Sequence, residues 1–211
     1  MTTFPPISPN LRKGNLVAID QATQQRTVIE FQYNPDTLTR RLTAQMASGN
    51  YDRKEAFRLK GPPDEVISLE IEIDATDQLE AGDRNTLSSG IQAKLAVLEL
   101  LLYPKSQTVI DNENLARQGT IEVIPMEAPL VLFVWDQRRS LPVQLTSFSI
   151  TEEAFDIKLN PTRAKVSLEL TVLNYMHLGL SSQGGGIFMA YHKQKEQIVQ
   201  EQPPKTPSGS V

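Results

Sequence analysis

The sequence predicts a mainly β domain of the α+β class, a rolled antiparallel sheet or β-barrel flanked by one amphipathic helix. Several segments alternate apolar and polar residues with the two-residue period of a half-buried strand, and one segment between them has helical spacing. Runs of polar residues, glycine and proline separate these segments. A chain of 211 residues can build one substantial core but hardly two large domains. We therefore expect an N-terminal arm at 1–14, one β domain at 15–176 and an extension at 177–211.

The β domain is expected to open with a hairpin. Leu16–Asp20 is a predicted short strand, the polar segment "QATQQR" is a predicted turn, and a second strand begins at Thr27. The second strand ends at Asn34-Pro35-Asp36, because proline has no amide donor and the Asn and Asp side chains can bond their own backbone. In that strand one face is predicted to carry Ile29, Phe31 and Tyr33.

The segment from Thr43 to Pro63 shows neither period, and its Gly, Asn and Pro residues indicate a long loop. One irregular strand is expected within it, around Ala56 to Leu59. Loops of this length are usually functional or disordered, and we expect this one to become ordered against a neighbouring subunit.

A regular strand and a helix follow the loop. The strand "VISLEIEID" is predicted to bury one face and to leave the other wet and acidic. The segment "TLSSGIQAKLAVLELLLY" has apolar residues three or four apart and predicts one amphipathic helix, ended by Pro104. The inward strand residues are Ile67, Leu69, Ile71 and Ile73, the outward ones are Ser68, Glu70, Glu72 and Asp74, and the helical stripe is Leu87, Ile91, Leu95, Leu98 and Leu102.

The second half of the chain returns to strands. "PLVLFVWD" is apolar on both faces, which indicates a central or covered strand. In "SLPVQLTSFSITEEAF" the apolar positions shift phase by one residue, so we predict a β-bulge at Thr146-Ser147. The next segment, "RAKVSLELTVLNY", alternates again. Its predicted inward residues are Val166, Leu168, Leu170 and Val172.

Beyond Tyr175 the composition changes. "HLGLSSQGGG" is interpreted as a flexible hinge, "IFMAYHKQKEQIVQEQ" as a short helix and "PPKTPSGSV" as a disordered tail. The helix has only a weak apolar stripe, so we expect it to dock on another component. The alternative, that it folds back and caps a sheet edge of its own domain, stays open. The stripe consists of Ile187, Tyr191, Lys195 and Ile198.

Composition excludes several classes of protein. The absence of cysteine excludes a disulfide framework, a cysteine nucleophile and thiolate metal sites. The net charge is -4, and the longest basic cluster is a pair of arginines, so a nucleic-acid partner is not expected. Neither a secretion signal nor an apolar run of about 18–20 residues is found, so we expect a soluble chain that is cytoplasmic when made, without membrane insertion.

The sequence predicts no catalytic residue, no metal site and no cofactor. His177 and His192 lack a carboxylate at metal-ligand spacing and are interpreted as solvent-facing. The glycine run has no following Lys-Ser or Lys-Thr, and no Gly-x-Ser-x-Gly nucleophile elbow is found. The outward carboxylates of "LEIEID" are interpreted as a solvated face, one that suits a water-filled lumen or a subunit contact.

The segment "FQYNPDTLTRRL" carries a family resemblance. Phe31, Tyr33, Asn34, Pro35 and Leu38 resemble the Phe-x-Tyr-Asn-Pro-x-x-Leu signature of the tube-type proteins of contractile injection systems, the phage-tail-like particles. In that family the motif is followed by a long loop, an acidic strand, an amphipathic helix and a late pair of strands. The same order of elements runs here from Leu16 to Tyr175.

The resemblance implies a tail-tube type of barrel that joins edge to edge into a ring, expected to be a hexamer, around a channel. One sheet face would pack under the helix and the other would line a hydrated bore. Within the family the chain is more similar to the baseplate adaptor or tube-initiator type. The usual LysM-like module is not expected, because only about 36 residues follow Tyr175.

Under this hypothesis the partners are further copies of the chain, the inner-tube protein, the spike or hub protein and other baseplate components. The particle itself could be membrane-bound or released. Two alternatives stay open: a monomeric β-barrel that binds a ligand or peptide, and a hydrolase. The candidate interaction residues are Phe31, Tyr33, Asn34, Pro35, Leu38, Ile187, Tyr191 and Ile198.

Overall fold

The computed structural model describes residues 12–21, 23–46, 58–80, 82–119, 125, 127–136 and 138–201. The strands are β1 (Asn15–Ile19), β2 (Arg26–Glu30), β3 (Leu38–Thr43), β4 (Asp64–Asp74), β5 (Leu130–Val134), β6 (Ser140–Phe155) and β7 (Pro161–Val172). The helices are α1 (Thr76–Glu80), α2 (Arg84–Ser89), α3 (Gln92–Glu99), α4 (Ser106–Arg117), α5 (Tyr175–Leu178) and α6 (Gln183–Glu201). No helix in these ranges is long and apolar enough to cross a membrane.

The seven described strands form one antiparallel sheet in the order β2-β1-β5-β6-β7-β4-β3. The mainly β class with accompanying helices is therefore confirmed. A closed barrel is not formed, because β2 and β3 lie at the two ends of the order and do not pair with each other. The sheet nevertheless bends enough that residues following β2 contact the end of β4.

The predicted hairpin is confirmed, but its second strand is shorter than expected. β2 ends at Glu30, and the amide of Phe31 adds one more ladder bond to the carbonyl of Gly14. Phe31 is buried, whereas Tyr33 is half exposed and does not share its face as predicted. The alternation of buried and exposed residues does not continue to Tyr33, because the chain no longer pairs with β1 after Phe31. A short strand that was not predicted, β3, then pairs with β4.

The predicted alternation in β4 and β7 is confirmed at every inward apolar position. These buried residues are Ile67, Leu69, Ile71, Ile73, Val166, Leu168, Leu170 and Val172. One outward prediction is wrong, because Asp74 is buried. Its carboxylate accepts hydrogen bonds from Thr76 and pairs with Arg163, which compensates the loss of water.

The β-bulge in β6 is also confirmed. Leu145 pairs with Leu170 and Ser147 with Glu169, so Thr146 is the extra residue on the β6 side. Its hydroxyl donates to the Glu169 carbonyl at 3.1 Å. β5 lies between β1 and β6, as its two apolar faces predicted.

The single predicted helix is instead two helices, α2 and α3, and a third, α4, follows Pro104. The break lies at Gly90, where φ is +58° and an added Cβ would lie 2.1 Å from the Pro161 carbonyl oxygen. Ile91, Leu95 and Leu98 are buried as predicted, while Leu102 lies after α3 and is exposed.

The predicted glycine hinge is wrong. Gly184 and Gly185 are buried in the first turn of α6, and an added Cβ on Gly185 would lie 2.0 Å from the Gly179 carbonyl oxygen. The glycines therefore allow a close approach between the end of α5 and the start of α6. Phe188 and Tyr191 join the core of the sheet, so α6 folds back on its own domain. It lies against β6, an interior strand, whereas the alternative left open above placed it on a sheet edge.

Three predicted features lie wholly or partly outside the described residues: the arm up to residue 11, the first half of the irregular strand expected at 56–59, and the tail from residue 202. At the described base of the long segment, Met46 and Leu59 form an antiparallel bridge.

Candidate interaction surface

One face of the sheet is covered by small hydroxyl and carboxylate side chains. We define the polar face as the outward residues of β3, β4, β7 and β6, which align in rungs across the strands. The first rung is Thr39, Ser68, Glu169 and Ser147, the second is Glu70, Ser167 and Ser149, and the third is Glu72, Lys165 and Thr151. The opposite face of these strands carries the apolar core.

The polar face contains a shallow, open groove of about 340 Å³. Glu70 accepts a hydrogen bond from the Ser167 hydroxyl at 3.3 Å, and Lys165 lies 3.3 Å from Glu153. Hydroxyl groups can both donate and accept hydrogen bonds, and carboxylates accept them, so this surface is suited to hold water. The polar face therefore has the side-chain chemistry of a surface that remains in contact with water.

Each histidine contacts a residue within four positions of it in the sequence. The His177 Nδ1 accepts from the Asn174 amide at 3.3 Å within the α5 capping box, and His192 pairs with Glu196 at 3.3 Å. Both histidines are exposed, as predicted. Among the described residues no three His, Asp or Glu side chains are placed to hold a metal ion.

The β2 end of the sheet presents an unpaired ladder. Hydrogen bonds from the Phe31 amide to Gly14 and from the Asp20 amide to Gln25 fix which β2 residues face β1. By alternation, Arg26, Val28 and Glu30 point their amides and carbonyls away from β1. No strand in the described part of the chain pairs with this edge, and Val28 is 63% exposed.

At the β3 end of the sheet, a partly buried arginine of β3 pairs with a buried glutamate of β4. The Arg40 guanidinium donates to the Glu65 carboxylate at 2.6 Å, and Glu65 is almost fully buried. This hydrogen bond is the main reason that the pKa of Arg40 is raised. α6 covers the pair with Tyr191, over whose ring the Lys195 ammonium lies at 4.5 Å; burial lowers the pKa of Lys195.

The signature motif lies within the fold. Phe31 fills the core, and the Asn34 side chain accepts from the Gly14 amide and donates to the Arg12 carbonyl, both at 2.9 Å. Gln32 lies between these two residues in the sequence. Its side chain donates a hydrogen bond to the carbonyl of Asp74 and accepts one from the amide of Asp74. We call Gln32 and Asn34 the clasp, because they tie the end of the first hairpin to β4 and to the chain before β1.

The predicted interaction residues differ in how far they are exposed. Phe31, Asn34 and Tyr191 make contacts inside the chain, and Leu38 packs against the core. Tyr33 and Ile198 are exposed and available for contacts, while Pro35 and Ile187 are partly buried.

The sequence did not predict two sets of contacts near the sheet ends: those of Gln32 with Asp74, and the pair Arg40–Glu65. Glu65 had a recognisable signal, since it occupies the inward phase of β4, two residues before Ile67. A charged residue in that phase requires a buried partner. Gln32 had no such signal, because its partner is 42 residues away.

No family model matches the chain, and no curated protein matches it either.

Proposed function

We propose that this chain is a structural ring subunit of a contractile injection system, located where the inner tube meets the spike and baseplate. The observation that carries the proposal is the position of the polar face on the same sheet as the outer edges of β2 and β3, which pair with no other strand of the described residues. The motif resemblance supplies the family, and the surface chemistry agrees with the role that the family implies.

The two edges suit head-to-tail association. β2 and β3 differ in sequence, so a contact between them joins unlike surfaces of neighbouring copies. Such heterologous contacts close into a ring when the rotation per subunit divides a full turn. An exposed strand edge is a liability in a monomer, and pairing with a neighbour satisfies its amides and carbonyls.

In such a ring the polar face would line the channel. Its short serine and threonine side chains and its carboxylates keep a water layer and offer little apolar area to a passing protein. The apolar face packs instead under α3 and α6, which would lie on the outside of the ring.

The ligand-binding alternative fits less well. The interior that a ligand would occupy is filled by fully buried side chains, whereas the groove described above lies on the polar face. These buried side chains include Leu16, Phe31, Ile67, Phe133, Leu141 and Leu170.

The proposal is tested at Val28, whose amide points outward from β2. Val28→Pro removes that donor without touching the β1–β2 ladder, and Val28→Thr is the matched control that retains it. Thr27→Pro, which removes an inward donor, should instead lower the melting temperature.

Light scattering and negative-stain images should give rings of uniform mass for the wild type and for Val28→Thr. We expect Val28→Pro to lose closed rings while it melts within a few degrees of the wild type. Rings that persist in Val28→Pro, or a wild type that forms none at high concentration, would contradict the proposal.

A further inference from the structure

The charges on the outer edge of β2 are arranged symmetrically about its middle residue. Val28 is the centre of the five-residue strand, with Arg26 two positions before it and Glu30 two positions after it. These three residues point their amides and carbonyls away from β1, and their side chains lie on the face opposite the core-directed Ile29. A second β2 strand that lies antiparallel along this edge would therefore meet the same sequence in reverse.

One register of such a pair brings opposite charges together. When the two strands overlap fully, Val28 lies opposite Val28 of the second copy, and Arg26 of each copy lies opposite Glu30 of the other. The outward residues then face each other as hydrogen-bonded pairs, so the three outward amides of each copy donate to carbonyls of the other. Opposite charges across a ladder stabilise the pairing. A shift by two residues separates both ion pairs, so the charges select this register.

The charged side chains at this edge are accessible for the contact. Arg26 is exposed and makes no ion pair within the described part of the chain, and the Glu30 side chain is 61% exposed. Glu30 also lies 3.4 Å from Lys13 of its own chain, so an arginine from a second copy would place it between two cations. Lys13 leaves one positive charge in excess on each copy. The ion pairs therefore set the register, while the ladder supplies most of the affinity.

The β3 edge does not have this symmetry. The middle residues of β3 are Arg40 and Arg41, so a two-fold axis at its centre would bring arginines of two copies together. Like charges directly opposite each other destabilise a strand pair. Of the two end strands of the sheet, β2 is thus the one suited to pairing with itself.

The direction of the end strands also distinguishes this contact from the one in a ring. Six successive antiparallel pairings separate β2 from β3, so the two strands run in the same direction. In a continuous ring wall, β2 of one copy and β3 of the next would therefore pair in parallel. Parallel pairing is slightly less stable per residue than antiparallel pairing.

We propose that free copies of this chain pair through their β2 edges across a two-fold axis. The dimer covers an edge that could otherwise template aggregation, and a contact of one short strand gives a small, reversible interface. The pairing itself does not depend on the ring. A second consequence does rest on the proposed function: the dimer occupies the edge that a ring needs, so it opens before a ring closes.

A single introduced thiol tests the two-fold contact, because the chain has no cysteine. Val28→Cys places two thiols across the axis, where the Cα atoms of a hydrogen-bonded pair lie about 5.5 Å apart, within reach of a disulfide. Thr39→Cys, at an exposed position of β3, is the matched control. Under mild oxidation we expect the yield of covalent dimer to be at least ten-fold higher for Val28→Cys than for Thr39→Cys.

A charge exchange tests the register. In the Val28→Cys background, Arg26→Glu or Glu30→Arg alone places like charges opposite each other, and each should lower the yield at least three-fold at low salt. In an equimolar mixture each variant meets opposite charges in the other. The mixture should therefore restore the yield, with one copy of each variant in the disulfide-linked dimer, as measured by mass spectrometry. Melting temperatures establish that every variant is folded.

A Val28→Cys yield equal to that of Thr39→Cys, unchanged yields for the charge variants, or a mixture without the mixed dimer would overturn the proposal. Light scattering on Val28→Cys separates this contact from the ring. We expect the oxidised dimer to form no rings and the reduced protein to form them. Rings from the oxidised dimer would refute the exclusion, whereas rings in neither state would count against the ring and leave the disulfide result standing.

Discussion

The Gln32 side chain pairs with the backbone of Asp74 as a neighbouring strand would. Its Nε2 donates to the Asp74 carbonyl at 2.7 Å, and its Oε1 accepts from the Asp74 amide at 3.2 Å and from the Lys94 ammonium at 3.1 Å. Gln32 follows β2 and Asp74 ends β4, so this contact joins distant parts of the strand order. The contact ties the end of the first hairpin to the end of β4 while the edge of β2 keeps its outward amides.

The first prediction concerns this contact. Gln32→Ala should lower the free energy of unfolding by about 1–3 kcal/mol, because two partly buried backbone groups lose their partner. For a chain of this size that corresponds to a fall in melting temperature of about 2–4 °C per kcal/mol. Gln24→Ala, which removes an exposed side chain, is the control. Equal urea midpoints for the two variants would contradict the role of the clasp.

The second prediction concerns the other half of the clasp. Asn34→Asp keeps the shape and the acceptor for the Gly14 amide but replaces the donor to the Arg12 carbonyl with a carboxylate oxygen. We expect a loss of about 1–3 kcal/mol, since two acceptors then face each other. Asn114→Asp on the exposed surface of α4 should change stability by less than about 0.5 kcal/mol. Chemical denaturation of both variants measures the difference.

The third prediction compares two adjacent glycines of α6. Gly185→Ala should destabilise the protein by more than about 1 kcal/mol, because its Cβ would lie 2.0 Å from a backbone oxygen that cannot easily move. Gly186→Ala meets no neighbouring atom and should stabilise the helix by up to about 1 kcal/mol. In a flexible hinge both substitutions would have similar effects. Melting curves for the two variants therefore distinguish a hinge from a close helix contact.

The fourth prediction concerns the buried Arg40–Glu65 pair. Glu65→Gln should cost about 1–3 kcal/mol, because it leaves the partly buried Arg40 without its counter-charge. The double variant Arg40→Met, Glu65→Leu should be more stable than Glu65→Gln, since the Arg40 charge is removed together with its partner. Urea unfolding gives both values. A double variant less stable than Glu65→Gln would mean that the ion pair itself supplies the stability.

The fifth prediction is a pH dependence at Asp74. The Thr76 hydroxyl is the main cause that lowers the pKa of Asp74, and its carboxylate therefore stabilises the fold when ionised. A lowered pKa contributes stability above the unfolded value of about 3.9, and that contribution is lost as the pH falls through the folded pKa. Thr76→Val should thus be less stable than the wild type at neutral pH, with a difference that shrinks below about pH 4. A difference independent of pH would contradict the assignment.

The elements that could be predicted from sequence are those whose residues alternate over many positions. The buried apolar faces of β4 and β7 follow from the two-residue period, and the bulge at Thr146 follows from a shift in that period. A short edge strand such as β3 has too few positions to show a period. In addition, the charged residue Arg40 occupies an inward position where an apolar residue would be expected.

Glycine was the least informative residue. The segment 177–186, which ends in three glycines, predicted a hinge, yet two of these glycines are buried where α5 and α6 approach closely. Gly90 breaks the predicted helix for a similar reason, since the Pro161 carbonyl lies against it. A glycine permits both flexibility and close approach, and only the neighbouring atoms determine which one applies.

The sequence by itself determined the class of the fold, the buried face of each long strand and the polar composition of the opposite face, because these depend on local periods. Tertiary structure alone decided that Gln32 meets Asp74 and that Arg40 meets Glu65. These contacts join residues 42 and 25 positions apart, and no local pattern encodes a distance of that kind. The bend of the sheet, which brings them together, results from the packing of the whole core.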